Sequence, residues 1–198
     1  TSTAGIVTAP TASGNIQTTA RTFNTTGNYS YIGSGAQVTG NALPTTVNNF
    51  TINNAAGLNL TQDLGINGVM TFTNGVVNSN STNTLTINDN ATVTGASNSS
   101  YVDGFMVKVG DDNFTFPVGD PLGSYHPITV NNSVAANPSA LVGDTYNAEY
   151  FRASALTRGP VATASGMYAV SNCEHWSLNR TAGAGTPAPG PGVAAACH

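Results

Sequence analysis

The chain is patterned in short alternations. Phe50-Thr51-Ile52, Leu58-Asn59-Leu60, Leu64-Gly65-Ile66, Leu85-Thr86-Ile87 and Phe105-Met106-Val107 each set two apolar side chains on one face of an extended segment. Between them fall Asn53-Asn54, Asn67-Gly68, Asn74-Gly75 and Asn88-Asp89-Asn90, residue types that accept tight-turn conformations. Where apolar residues recur at helical spacing, Gly, Asn, Thr or Pro interrupts them. The pattern predicts an all-β chain of short strands and frequent turns.

The alternations themselves recur. Phe50, Phe72, Val93 and Phe114 are separated by 22, 21 and 21 residues, and Leu64, Leu85 and Met106 by 21 and 21. Ile66 and Ile87 are again 21 apart. A shared period near 21 in independent apolar series is the mark of stacked repeats. Three short strands and three turns fill that length. One repeat then corresponds to one coil of a parallel β-solenoid (β-helix), each coil covering the apolar residues of the next. An antiparallel meander with similar loops is the other arrangement the period permits.

After about Val130 the pattern changes. Residues 131–143 read as a connection, Tyr146-Asn147-Ala148-Glu149-Tyr150-Phe151 and Met167-Tyr168-Ala169-Val170 as strands, and Trp176 and Leu178 alternate in a third. Residues 181–192 are rich in Gly, Ala and Pro and are expected to be irregular. The division expected is an extended N-terminal arm over 1–28, a β-repeat domain over 29–130, and a β cap or sandwich layer with a Gly/Pro-rich tail over 131–198. A cap is expected on physical grounds, because the open end of a solenoid presents unpaired strand edges that would recruit other chains.

Composition sharpens this picture. Of 198 residues only 7% are charged, against about 25% in typical soluble domains. Thr, Asn, Ser and Gly take the place of charge. Lys108 is the one lysine, and Arg21, Arg152, Arg158 and Arg180 are scattered, so the clustered cations that bind nucleic acid or an acidic membrane surface are missing. No apolar run approaches the ~20 residues of a spanning helix. The chain opens at Thr1 without Met, as a processed secreted protein or an excised fragment would. Low lysine, abundant Asn and Thr, and two cysteines favour an oxidising, extracellular setting. In that setting Cys173 and Cys197 are a candidate disulfide, closing a loop of about 25 residues and worth on the order of 3 kcal/mol; two thiols are the alternative.

Several ordered elements resemble repeat-containing secreted and cell-surface proteins of Bacteroidetes exported by the type IX route. They are Tyr29-Ser30-Tyr31-Ile32-Gly33, Gln37-Val38-Thr39-Gly40, Leu43-Pro44, and Val47-Asn48-Asn49-Phe50-Thr51-Ile52-Asn53-Asn54. Further along come Thr73-Asn74-Gly75-Val76-Val77, Tyr101-Val102-Asp103-Gly104, Phe114-Thr115-Phe116-Pro117-Val118-Gly119-Asp120 and Cys173-Glu174-His175-Trp176-Ser177-Leu178-Asn179-Arg180-Thr181. The resemblance implies a modular extracellular protein with adhesive or structural roles. Members of that group usually continue into a further apolar strand and a C-terminal sorting domain, and residues 186–198 show neither.

The chemical candidates are few. His126 and His175, with Asp120 or Glu174 and a serine, are the makings of a triad, but no Gly-x-Ser-x-Gly elbow accompanies them. Asp103, Asp111, Asp112 and Asp120 offer oxygen ligands for Ca²⁺ without an EF-hand loop or a Gly-rich nonapeptide, and read more simply as turn residues. Thr71/Thr73, Thr84/Thr86 and Thr92/Thr94 form Thr-x-Thr pairs that suit the outward face of a strand, or a hydroxyl lattice of the ice-binding kind. Sequons at Asn24, Asn28, Asn49, Asn59, Asn90, Asn98, Asn113 and Asn179 follow from composition. Tyr29, Tyr31, Tyr101, Tyr125 and Trp176 could stack on sugars, although large aromatics of small β-domains mostly fill the core. No catalytic residue, cofactor or metal is expected. The expected role is an extracellular structural or adhesive module, self-associating or joined to neighbouring repeat modules and able to build a fibre. A carbohydrate-binding module of a larger secreted protein is the alternative.

Overall fold

A computed structural model of the chain describes residues 3–8, 13–131, 143–158, 171–183 and 192–194. Four coils follow one another, each of three strands. The first holds β1 (Tyr29–Tyr31), β2 (Gln37–Val38) and β3 (Thr46–Val47); the second β4 (Phe50–Asn53), β5 (Leu58–Asn59) and β6 (Leu64–Ile66). The third holds β7 (Val69–Asn74), β8 (Val77–Asn78) and β9 (Leu85–Ile87); the fourth β10 (Thr92–Thr94), β11 (Val102–Asp103) and β12 (Met106–Val109). Like strands of successive coils pair in parallel, giving three faces: β1-β4-β7-β10, β2-β5-β8-β11 and β3-β6-β9-β12. This is a parallel β-solenoid. Among the described residues no α-helix occurs, and none is long and apolar enough to cross a membrane.

The interior follows from alternation plus stacking. Leu64, Leu85 and Met106 lie in register on the third face, as do Ile66 and Ile87, and all five are buried. These columns keep the period read from the sequence. On the first face the register differs: Phe50 pairs with Met70, and Ile52 with Phe72, so the step is 20 rather than 22. Phe50 and Phe72 share a face because positions two apart on a strand do, which is why the two-residue slip was invisible. The step from Met70 to Val93 is then 23, and from Val77 to Val102 it is 25. Corner loops absorb the difference.

Phe105-Met106-Val107 is the one alternation whose phase is reversed. Met106 and Lys108 point inward, while Phe105 and Val107 are half-buried outside. Register with Leu85 and Ile87 decides the phase, and it outweighs the local excess of apolar residues on the other side.

Sharp corners need special backbone. Gly75 has φ +100°, and a Cβ there would lie 1.8 Å from the carbonyl oxygen of Asn54 in the preceding coil. Gly104 has φ +111°, and its Cβ would lie 2.1 Å from Ser79 O. Only glycine meets both conditions at these corners.

The ends are closed unevenly. At the start, Val38 N donates to Thr3 O (3.0 Å), Ile6 N to Thr39 O (2.9 Å) and Ala42 N to Ile6 O (3.0 Å). Residues 3–8 thus lie along β2, with Ile6 buried, instead of extending away as an arm. After β12 come β13 (Phe114–Phe116), β14 (Val118–Asp120), β15 (Ser124–Tyr125), β16 (Ile128–Val130), β17 (Thr145–Phe151), a single 3-10 turn (Ala155–Arg158), β18 (His175–Ala182) and β19 (Gly192–Ala194). β14 adds to the second face in parallel and β15 closes it antiparallel. β17, β18 and β19 extend the third face antiparallel from β12, so this part of the cap is joined edge to edge. The strand expected at 167–170 and most of the 131–143 connection lie outside the described residues.

Candidate functional site

Alternation that sends apolar residues inward sends hydroxyls and amides outward, and stacking lines them up. Ser30, Thr51, Thr71 and Thr94 stand in register down the first face. Thr92 pairs with Val69, so the aligned partner of Thr71 is Thr94 and not the residue 21 positions on. On the second face Asn59 and Asn78 stack, with Asn78 Nδ2 donating to Asn59 Oδ1 at 2.6 Å. At the corner after the third face Asn88 Nδ2 donates to Asn67 Oδ1 at 2.6 Å, and at the corner before it Asp63 Oδ1 accepts from both Thr84 N and Thr84 Oγ1. Each such bond joins one coil to the next and satisfies amide groups that would otherwise compete with the backbone.

The aspartates singled out from the sequence fall into two groups. Asp111 and Asp112 meet Asp89 from the coil before, with one oxygen of each within 4.8 Å of the others. These are the described carboxylates placed to hold a cation, and the ammonium of Lys108 already lies 2.6 Å from Asp112 Oδ2. Burial alone would raise Asp112; the Lys108 ammonium and the Asn90 N–H outweigh it and hold the carboxyl below its ordinary range. Asp89 was not foreseen, although its 22-residue offset from Asp111 is one coil. Asp103 and Asp120 lie apart from these, on the second face. Burial, then the nearby Asp120 charge, pushes the Asp103 carboxyl up.

The histidine candidates sit in the cap. His126 stacks on Tyr150 with ring centroids 4.1 Å apart, Trp176 Nε1 donates to His126 O at 2.7 Å, and His126 Nε2 is buried with no hydrogen-bond partner among the described residues. Glu174 accepts from Tyr150 OH, and Asp120 accepts from Arg152 and from the N–H groups of Leu122 and Ser124. Burial, followed by the Glu174 contact, raises the Tyr150 hydroxyl. His175 is buried elsewhere, stacked on Phe151, with Nδ1 2.9 Å from Ala153 O. The carboxylates therefore orient Arg152, Tyr150 and a turn. Neither is hydrogen-bonded to an imidazole among the described residues.

Tyr31 and Tyr101 are core residues, 2% and 1% exposed, while Tyr29, Tyr125 and Trp176 are half-buried. Cys173 is exposed, with Sγ 3.3 Å from Ser171 Oγ. Its expected partner Cys197 lies outside the described residues, and no disulfide is present among those described.

One further feature belongs to the first face. β13 holds the place in the fifth coil that a strand continuing this face would hold, directly before β14 of the second face. Yet β13 pairs with β16, and among the described residues β10 ends its own sheet. Between β10 and β13 lies a cleft of about 400 Å³ lined by Ala91, Thr92, Val93, Asp112, Phe114 and Thr115, among others.

The class defined by these features is a short parallel β-solenoid with an antiparallel cap and a sparsely charged exterior. No family model, curated protein or solved structure matches the chain.

Proposed function

We propose that the chain is an extracellular structural or adhesive module that works through its exterior and associates with further copies or neighbouring repeat modules. The observation that carries this reading is the column Ser30, Thr51, Thr71 and Thr94 on a parallel sheet face of a chain only 7% charged. Such a face meets other polar surfaces by many weak hydroxyl and van der Waals contacts, without strong electrostatic selection. Extracellular placement is supported by the low lysine content and by the resemblance to secreted Bacteroidetes repeat proteins. The test is sedimentation velocity and electron microscopy of the purified chain over a concentration series, with surface labelling of intact cells. Concentration-dependent assemblies and labelling without permeabilisation are expected. A monodisperse monomer at all concentrations, confined to the cell interior, would overturn the reading. A glycan array addresses the carbohydrate alternative, for which the half-buried Tyr29, Tyr125 and Trp176 are the available rings.

A further inference from the structure

We propose that the cleft between β10 and β13 is a strand-insertion site. It accepts one extended peptide segment of another chain, running parallel to β10, with a cationic group at its N-terminal end.

The backbone supplies the first argument. Thr92 N donates to Gly68 O, so the N–H and C=O of Thr92 and Thr94 serve the pairing with β7. By the alternation of parallel pairing, the N–H and C=O of Val93 point the other way, into the cleft. On the far side, β13 is bonded to β16 along one edge, so its alternate peptide groups also point away from β16. Two strand edges therefore face one space. An edge left like this is a template for a further strand.

The walls supply the second. Val93 and Phe114 pack against the core and form an apolar floor, so the inward side chains of a guest strand would be small or branched apolar residues. Thr94 and Thr115 flank the outer surface, where the guest's alternate residues would join the hydroxyl column of the first face.

Charge supplies direction. β10 and β13 both begin at the end of the cleft where Asp112 stands, next to Asp89 and Asp111. Three carboxylates there face one ammonium, that of Lys108. A parallel guest strand places its N-terminal end at this excess of negative charge, and a leading Arg or Lys complements it. The same side chain ties this end of the cleft to the preceding coil: Asp112 Oδ2 takes the Asn90 N–H at 3.0 Å. The proposal does not depend on what the rest of the exterior binds.

The test is fluorescence anisotropy of the full chain with a labelled hexapeptide of alternating threonine and valine led by arginine. Saturable binding is expected. N-methylation of the peptide on either alternate set of nitrogens should weaken it at least about tenfold, because each set meets a different edge. Replacing the leading arginine by glutamate should weaken it as well. Val93→Pro removes the edge donor without touching the bonds to β7 and should abolish binding; a melting curve reports whether the variant folds, and the methylated peptides read the same bond if it does not. No saturable binding up to about 1 mM would overturn the proposal. So would binding that survives either methylation pattern, or that is indifferent to the charge of the first residue.

Discussion

Lys108 stacks on Ile87 in the third face, in a column that is aliphatic through the three preceding coils (Val47, Ile66, Ile87), and its ammonium turns back to Asn88 O at 3.0 Å and Asp112 Oδ2 at 2.6 Å. Its ring neighbour is Phe114, 5.6 Å from Nζ. The side chain is 2% exposed, so its aliphatic stem does the packing of a core residue while its tip ties the fourth coil to the turn before it.

The stem and the tip separate by mutation. Lys108→Ala loses both and should cost about 2–4 kcal/mol. Lys108→Met keeps the volume in the column and releases Asp112, which is partly exposed, to water; the change should stay within about 1.5 kcal/mol. Urea denaturation of the two variants measures the difference. Equal losses would mean that the ion pair, not the packing, holds this position.

Acid should weaken the fold through Asp112. Its folded-state carboxyl lies below the ordinary range, so its contribution is present above the unfolded value and is lost as pH falls through the folded one. Asp112→Asn should lower the melting temperature at neutral pH and flatten the acid side of the profile. Because this carboxylate is partly exposed, the loss should be modest, about 1 kcal/mol.

Asp103 has the opposite sign. Burial and the Asp120 charge raise its carboxyl, so the folded state is penalised at pH values above the folded one and the penalty lifts as pH falls. Asp103→Asn should stabilise the protein at neutral pH, since position 103 stacks on Asn78 and an amide there prolongs the Asn59–Asn78 column. The gain should disappear in acid. A thermal-shift series against pH checks both the sign and the window.

How far the sequence led is clearest at particular positions. Leu64, Leu85 and Met106 were legible because all three are apolar and their strands lie one constant step apart. The slip of Phe72 was not, since positions two apart on a strand show the same parity. Lys108 escaped notice for a different reason. A lysine at an inward position contradicts the apolar pattern, and only the register with Ile87 shows that it belongs there. Asp89 joined Asp111 and Asp112 at one coil's offset, a relation visible only once the coil length is known at that corner. The cleft was beyond reach, because it arises from a pairing that β10 and β13 do not make.

Gly75 should tolerate no side chain. Its φ of +100° and the 1.8 Å approach to Asn54 O mean that alanine must both adopt a disfavoured backbone and push back the second coil. Gly75→Ala should cost about 2 kcal/mol or more. Gly123, also at positive φ but with nothing within 4 Å of its would-be Cβ, supplies the control. Gly123→Ala bears the backbone strain alone, and should cost about 1 kcal/mol. Denaturation midpoints of the pair separate strain from collision.

The last prediction links the fold to the exterior. Leu85 is fully buried between Leu64 and Met106, so Leu85→Ala opens a cavity in the middle of the stack and should cost about 2–5 kcal/mol. Thr94 lies outside, exposed, at the foot of the hydroxyl column. Thr94→Ala should change stability by no more than about 0.5 kcal/mol. The hydroxyls of Thr51, Thr71 and Thr94 can therefore be removed together with the coils intact, as far-UV circular dichroism and melting will report. If the exterior is the working surface, the triple variant keeps its fold and loses assembly or adhesion. A triple variant that folds and assembles like the parent would move the function away from this face, to the ends of the stack or to the cap.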